Sequence, residues 1–298
     1  MKLSAKDIQI RDPFVVPIEA EGNYYLFGST DRNVWGKGTG FDAYVSKDLE
    51  SWEGPFPVFR PDETFFAENH FWAPEVYVFG DKYYMFATFR RKTNNRLGTA
   101  VLVSDHILGP YTLYSDGPVT PQDWDALDGT LYMDEEGQPW MVFCHEWQQI
   151  IDGEICAVRL APDLRSTMEE PITLFRASEA PWTTPVHPQQ VEGDVYVTDG
   201  PFLMRTESGE LFMLWASFRE GRYALGIARS ESGSVKGPWV HEAEPFYQDD
   251  GGHGMIFRTF DGRLMVTIHA PNKTPEERPY FFEVTLSGGA LKRASSEE

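Results

Sequence analysis

Leu127-Asp128-Gly129-Thr130-Leu131-Tyr132-Met133-Asp134-Glu135-Glu136-Gly137-Gln138-Pro139-Trp140-Met141-Val142-Phe143 holds the pattern from which the fold can be read. A short anchor opens an apolar strand, a glycine turn reverses the chain, and a second aromatic-rich strand returns. Glycine supplies the positive φ that a tight hairpin turn requires. The same plan runs from Arg11-Asp12-Pro13-Phe14 to Tyr24-Tyr25-Leu26-Phe27 and from Trp72-Ala73-Pro74-Glu75 to Tyr83-Tyr84-Met85-Phe86. It returns from Thr198-Asp199-Gly200-Pro201 to Leu211-Phe212-Met213-Leu214-Trp215 and from Gly252-His253-Gly254-Met255 to Leu264-Met265-Val266-Thr267-Ile268. Taking Asp12, Ala73, Asp128, Asp199 and His253 as equivalent, the unit recurs about every 50 to 70 residues, the span of a four-stranded blade with its loops.

Three units continue with a strand ending in serine and a Gly-Pro-aromatic step into a fourth strand. These are Val45-Ser46 to Gly54-Pro55, Val103-Ser104 to Gly109-Pro110-Tyr111, and Arg229-Ser230 to Gly237-Pro238-Trp239. Each unit therefore reads as an antiparallel four-stranded meander. Five of them, set radially, predict an all-β five-bladed β-propeller that takes up residues 1–298 as a single domain. A β-sandwich or two small all-β domains would also fit the length, but no linker or composition shift interrupts the repeat.

Composition narrows the function. A formal net charge of -20 repels phosphate backbones and anionic membrane surfaces, so neither nucleic acid nor membrane is expected as a partner. No apolar run reaches membrane-spanning length. The start, Met1-Lys2-Leu3-Ser4-Ala5-Lys6-Asp7, lacks the apolar stretch of a secretory signal, from which a cytoplasmic location is expected. Cys144 and Cys156 read as small buried hydrophobes and not as a disulfide. The 9 Trp, 13 Tyr and 21 Phe suit a surface that covers the C–H faces of sugar rings, although most of them belong to a propeller core. An oligosaccharide or small glycoside is the expected partner; the sequence says nothing of oligomeric state.

Anchors at the start of innermost strands converge on the propeller axis. Asp12, Asp128 and Asp199 would thus meet at one end of the channel. An aspartate before glycine or proline is, singly, commonly a turn residue. Three in equivalent positions suggest carboxylate chemistry, in which one group stays ionised to activate water and another keeps its proton for a leaving oxygen. His253 is the fifth anchor and should also face the channel. Loops following the second strands would form the rim, at 31–40, 90–96, 145–153, 218–222 and 271–279. They bring Trp35, Arg90, Glu146 and Trp147 forward as substrate-binding candidates, with Glu146 a second candidate for the acid. Trp72 would form a sugar-stacking wall, with Glu75 near it. No phosphate-cradling loop, nucleophile elbow or dinucleotide fingerprint is present.

The order Arg11-Asp12-Pro13, Trp72-Ala73-Pro74, Leu127-Asp128-Gly129 and Thr198-Asp199-Gly200-Pro201, each at a blade start, resembles glycoside hydrolase family 43 over nearly the whole chain. The resemblance implies an inverting glycosidase acting on α-L-arabinofuranosides or β-D-xylosides; the expected cytoplasmic location favours release of terminal units from short oligosaccharides, with an endo mode left open. The resemblance implies Asp12 as the general base and Asp128 as the residue that tunes and holds the acid. The family's acid is a glutamate in Glu-Gly-Pro, a place taken here by Asp199. It also implies no cofactor for the chemistry, and a structural calcium on the axis with His253 in its shell. Two other classes stand beside this reading. One is a sugar-binding propeller without catalysis. The other is a phosphorylase, which would need a cationic pocket from Arg90, Arg91 or His145.

Overall fold

The computed structural model describes residues 2–189, 192–287 and 290–294. It contains five four-stranded antiparallel sheets, each built from strands consecutive in sequence, which makes the five-bladed propeller that the repeat predicts. The innermost strands are Arg11–Ile18, Ala67–Phe79, Ala126–Met133, Asp199–Arg205 and Gly252–Arg258, in blades 1 to 5. Their partners across the glycine turns are Asn23–Ser29, Lys82–Arg91, Pro139–His145, Leu211–Arg219 and Leu264–Ala270. Gly137, with φ 76°, shows why the turns need glycine. The Gly54-Pro55 step differs from the expectation: it lies inside the outer strand Trp52–Phe59 of blade 1 instead of preceding it.

Alternation along the strands fills the space between blades with apolar side chains. Trp182, Trp215, Phe175 and Ala224 pack between blades 3 and 4, and Phe212, Tyr223, Ile256 and Val266 between blades 4 and 5. Cys144 and Cys156 are free and buried in neighbouring strands of blade 3.

Because every sheet uses only its own consecutive strands, no strand among the described residues is shared to lock the ring. Blades 1 and 5 close it through side chains. The Trp52 and Phe281 rings stack at 5.8 Å, the Tyr24 and Phe260 rings stack at 4.2 Å, and the Phe260 N–H donates to the Tyr24 hydroxyl at 2.9 Å. Near the axis, Arg11 forms an ion pair of 3.0 Å with the fully buried Glu277, and the Ile10 N–H donates to the Glu277 carbonyl.

Each innermost strand carries a bulge where the register against the second strand slips by one residue, at the start of the strand in blades 1, 3, 4 and 5 and after Trp72, the last of three such slips, in blade 2. A bulge of this kind bends the strand and re-aims a side chain. The residues held there at positive φ are Asp12 (53°), Ala73 (46°), Asp128 (56°), Gly200 (45°) and His253 (48°). This corrects one sequence equivalence. Asp199 is paired as Arg11, Trp72, Leu127 and Gly252 are, one residue before the bulge position, and Gly200 occupies the position of Asp12 and Asp128. The physical reason is crowding. A Cβ on Gly200 would lie 2.5 Å from the His253 ring, so blade 4 has no room for a side chain there.

Candidate active site

The bulge positions turn inward under a repeated hydrogen-bond rule. In three of the five blades a polar side chain on the second strand of the preceding blade accepts the bulge N–H, while the Gly200 N–H of blade 4 donates to Asp128 Oδ2 at 3.4 Å. Ser29 Oγ accepts from Ala73 N at 2.8 Å, Thr88 Oγ1 from Asp128 N at 2.8 Å, and His269 Nδ1 from Asp12 N at 3.2 Å. Each otherwise strained residue is thereby fixed from a neighbouring blade. Since His269 Nδ1 accepts, its proton sits on Nε2, which faces Asn272 Oδ1 at 3.3 Å. Burial and the Arg11 guanidinium hold its pKa down to about 3, so the ring is neutral.

Three carboxyls meet around His253. Its Nδ1 lies 3.1 Å from Asp12 Oδ1, 3.3 Å from Asp199 Oδ1 and 3.8 Å from Asp128 Oδ2. Burial works against charge on this imidazole, but Asp12 and Asp199 outweigh it and raise its pKa. Asp12 Oδ2 accepts from the Ser29 hydroxyl at 2.6 Å. Asp199 Oδ2 accepts from the Tyr223 hydroxyl at 2.5 Å. Asp128 and Asp199 divide a proton unequally. Burial, then the charge of Asp199, pushes Asp128 well above the ordinary carboxylate range; at Asp199 burial is overcome by hydrogen bonds from Asp128, His253 and Tyr223, which push it down. The two directions favour the proton of the pair on Asp128 and the charge on Asp199.

These groups form the floor of a cavity of about 470 Å³, walled by Trp35, Trp72, Trp147, Phe218 and Tyr223. Glu146 lines it as well. Trp35 is half exposed, and its indole N–H donates to Thr274 Oγ1 at 3.1 Å, tying the rims of blades 1 and 5 together. Trp72 is fixed by its indole N–H on the Val34 carbonyl. Four of the five expected rim loops reach the cavity, through Trp35, Glu146 with Trp147, Phe218, and Asn272 with Thr274.

The fifth, at 90–96, does not. Arg90 does not line the cavity: it donates to the Asn95 carbonyl and to His70 Nδ1 and stands 3.9 Å from Asp125. Arg91 is buried and donates to the carbonyls of Leu97, Thr120, Pro121 and Gln122. His145 stacks on Trp124 at 4.0 Å. None of the three builds the phosphate pocket that a phosphorylase needs. Glu75 also stands away from the wall. It is buried behind the site against the Tyr77 hydroxyl, and burial pushes its pKa to about 7.

The sequence reading missed Tyr223, His269, Arg11 and the segment Val186-His187-Pro188, all of which act on or line the site. Arg11 stands within the quoted Arg-Asp-Pro motif and could have been found there. The others are brought in from separate blades and have no local signal.

Asp128, Asp199 and His253 place three donor atoms within 4.8 Å of one another. Calcium takes roughly six to eight oxygen ligands. Asp128, Asp199 and His253 are the residues that would hold such an ion, with water supplying its remaining ligands.

The model of the glycosyl hydrolases family 43 matches residues 7–286. The crystal structure of an endo-arabinase from Bacteroides thetaiotaomicron is 42% identical, with a TM-score of 0.89 over 96% of this chain and 98% of that one. An extracellular exo-α-(1→5)-L-arabinofuranosidase of Cellvibrio japonicus is 24% identical over 89% of this chain and 80% of that protein. An α-L-arabinofuranosidase structure from Lactobacillus brevis, at 18% identity and a TM-score of 0.73 over 98% of this chain and 97% of that one, shares the fold.

Proposed function

The chain belongs to glycosyl hydrolase family 43, and on that footing we propose that this glycosidase hydrolyses α-L-arabinofuranosyl linkages of short oligosaccharides with inversion, releasing terminal units. Membership of a hydrolase family displaces the non-catalytic sugar-binding reading. The observation that carries the proposal is a tryptophan-walled cavity whose floor is three aspartates gathered by one imidazole.

Asp12 acts as the base. Ser29 fixes one of its oxygens, while the other faces the His253 side of the cavity floor, where a water can give up its proton. Asp128 keeps Asp199 charged, and together they stabilise positive charge developing at the anomeric carbon. The leaving oxygen needs a carboxylic acid from the same cavity, and both Asp199 and Glu146 line it. Arabinose is favoured over xylose by the 42%-identical endo-arabinase and by the arabinofuranosidase relative. The Trp35–Thr274 tie across one edge supports release from a chain end. The endo-arabinase relative favours a second reading, internal cleavage of arabinan.

The test is p-nitrophenol release from α-L-arabinofuranoside, β-D-xyloside and β-D-galactoside, followed by product sizing on linear α-1,5-arabinan. Arabinofuranoside turnover with arabinose as the sole early product supports the proposal. Early oligosaccharides support the endo reading, and turnover of the xyloside alone sinks the arabinose assignment.

A further inference from the structure

The fourth-blade aspartate stands where the family's acid would be, yet its surroundings suit a charged acceptor. Its Oδ2 accepts from the Tyr223 hydroxyl and its Oδ1 faces His253 Nδ1. The same Nδ1 touches Asp12, which caps the distance between Asp12 Oδ1 and Asp199 Oδ1 at about 6.4 Å, the sum of the two contacts. Inverting pairs stand roughly 6.5 to 9.5 Å apart so that a water and the anomeric carbon fit between them. Here one imidazole nitrogen touches both carboxylates.

Glu146 is different. It follows the second strand of blade 3, stands at the N-cap position of the short helix Trp147–Ile150 without a side-chain capping bond, is 6% exposed and lines the cavity. Among the described residues, no ion pair or side-chain hydrogen bond ties its carboxyl to Asp12, Asp128, Asp199 or His253. It stands apart from the cluster, at the wall.

Resting on the proposed hydrolysis, we propose that Glu146 is the proton donor to the leaving oxygen, and that Asp199 is a charged partner to the transition state. Water attacks the anomeric carbon and gives its proton to the Asp12 carboxylate. The C–O bond breaks, its electron pair goes to the leaving oxygen, and that oxygen takes the proton of Glu146. Solvent returns a proton from Asp12 to Glu146, and the net change is addition of one water across the linkage. The protonation required is in place: burial first, then the charges of Asp199 and Asp125, push Glu146 to about 8 against the opposing pull of the Gln148 N–H and Arg90. A neutral carboxyl is thus available at pH 7 and lost above pH 8.

The test separates leaving groups. Glu146→Gln and Asp199→Asn are compared with wild type on arabinotriose, whose leaving alcohol needs a proton, and on 2,4-dinitrophenyl α-L-arabinofuranoside, whose leaving phenolate does not. For Glu146→Gln, kcat/KM on arabinotriose should fall roughly 10² to 10⁴-fold with the basic limb of its pH profile removed. The dinitrophenyl glycoside should fall less than about tenfold. Asp199→Asn should lose activity on both substrates alike and keep the basic limb. An equal loss on both substrates in Glu146→Gln, with the limb retained, overturns the assignment, as does a leaving-group-selective loss in Asp199→Asn. If the wild type turns over no arabinofuranoside, the substrate reading fails instead, and the same comparison on the paired glycosides of the active sugar tests the donor.

Discussion

At Asp12, the proposed base, a single φ of 53° decides where the carboxylate points. Aspartate and asparagine tolerate this left-handed region better than other side chains, so Asp12→Asn should keep the bulge and accept the Ser29 bond while losing the ability to take a proton. We expect kcat to fall by about 10² to 10⁴-fold with little change in the unfolding midpoint. Loss of stability equal to that of a core truncation would mean that Asp12 is structural. Gly200 gives the converse case. Its φ of 45°, with the His253 ring 2.5 Å from any Cβ, leaves alanine no place. Gly200→Ala should cost more than about 1 kcal/mol in denaturant unfolding and displace His253, lowering activity as well. Unchanged stability would contradict the crowding argument. Asp128 was legible from its motif, but its raised pKa was not. Its rise above the ordinary carboxylate range comes first from burial and then from Asp199 and Asp12, residues of other blades.

The elements were written in the chain almost completely, because a hairpin is a short-range object. Alternating apolar residues, a glycine and a second apolar run specify it within twenty residues or so. The one-residue slip in each bulge was not legible, and it moved Asp199 off the position of Asp12 and Asp128. A period of two makes a single residue decisive for direction. Ring closure, too, lies between elements. Trp52 is fully buried, stacks on Phe281 and pairs its backbone with Leu3 in both directions. Trp52→Ala should cost about 3 to 5 kcal/mol of stability while kcat, measured well below the new melting temperature, stays within about twofold. A large fall in kcat under those conditions would tie closure to the site more directly than the packing suggests.

For the molecule as a whole, a net charge of -20 opposes compaction. Raising salt from about 0.01 M to about 0.15 M shortens the screening length from roughly 30 Å to roughly 8 Å. The thermal midpoint should therefore rise by a few degrees over that range, read by scanning calorimetry. A fall would show that favourable ion pairs outweigh the net repulsion. By itself the sequence determined the all-β class, five blades, the carboxylate character of the site and the rim positions of Trp35, Glu146 and Trp147, since each follows from local periodicity and the order of motifs. Only the tertiary structure decided that Asp128 and Asp199 are pushed in opposite directions, that His253 touches both Asp12 and Asp199, that Arg90 and Glu75 stand away from the cavity, and that Tyr223 and His269 serve the site. Those properties depend on burial and on charges a few ångströms away that belong to other blades, and no stretch of chain carries that information alone.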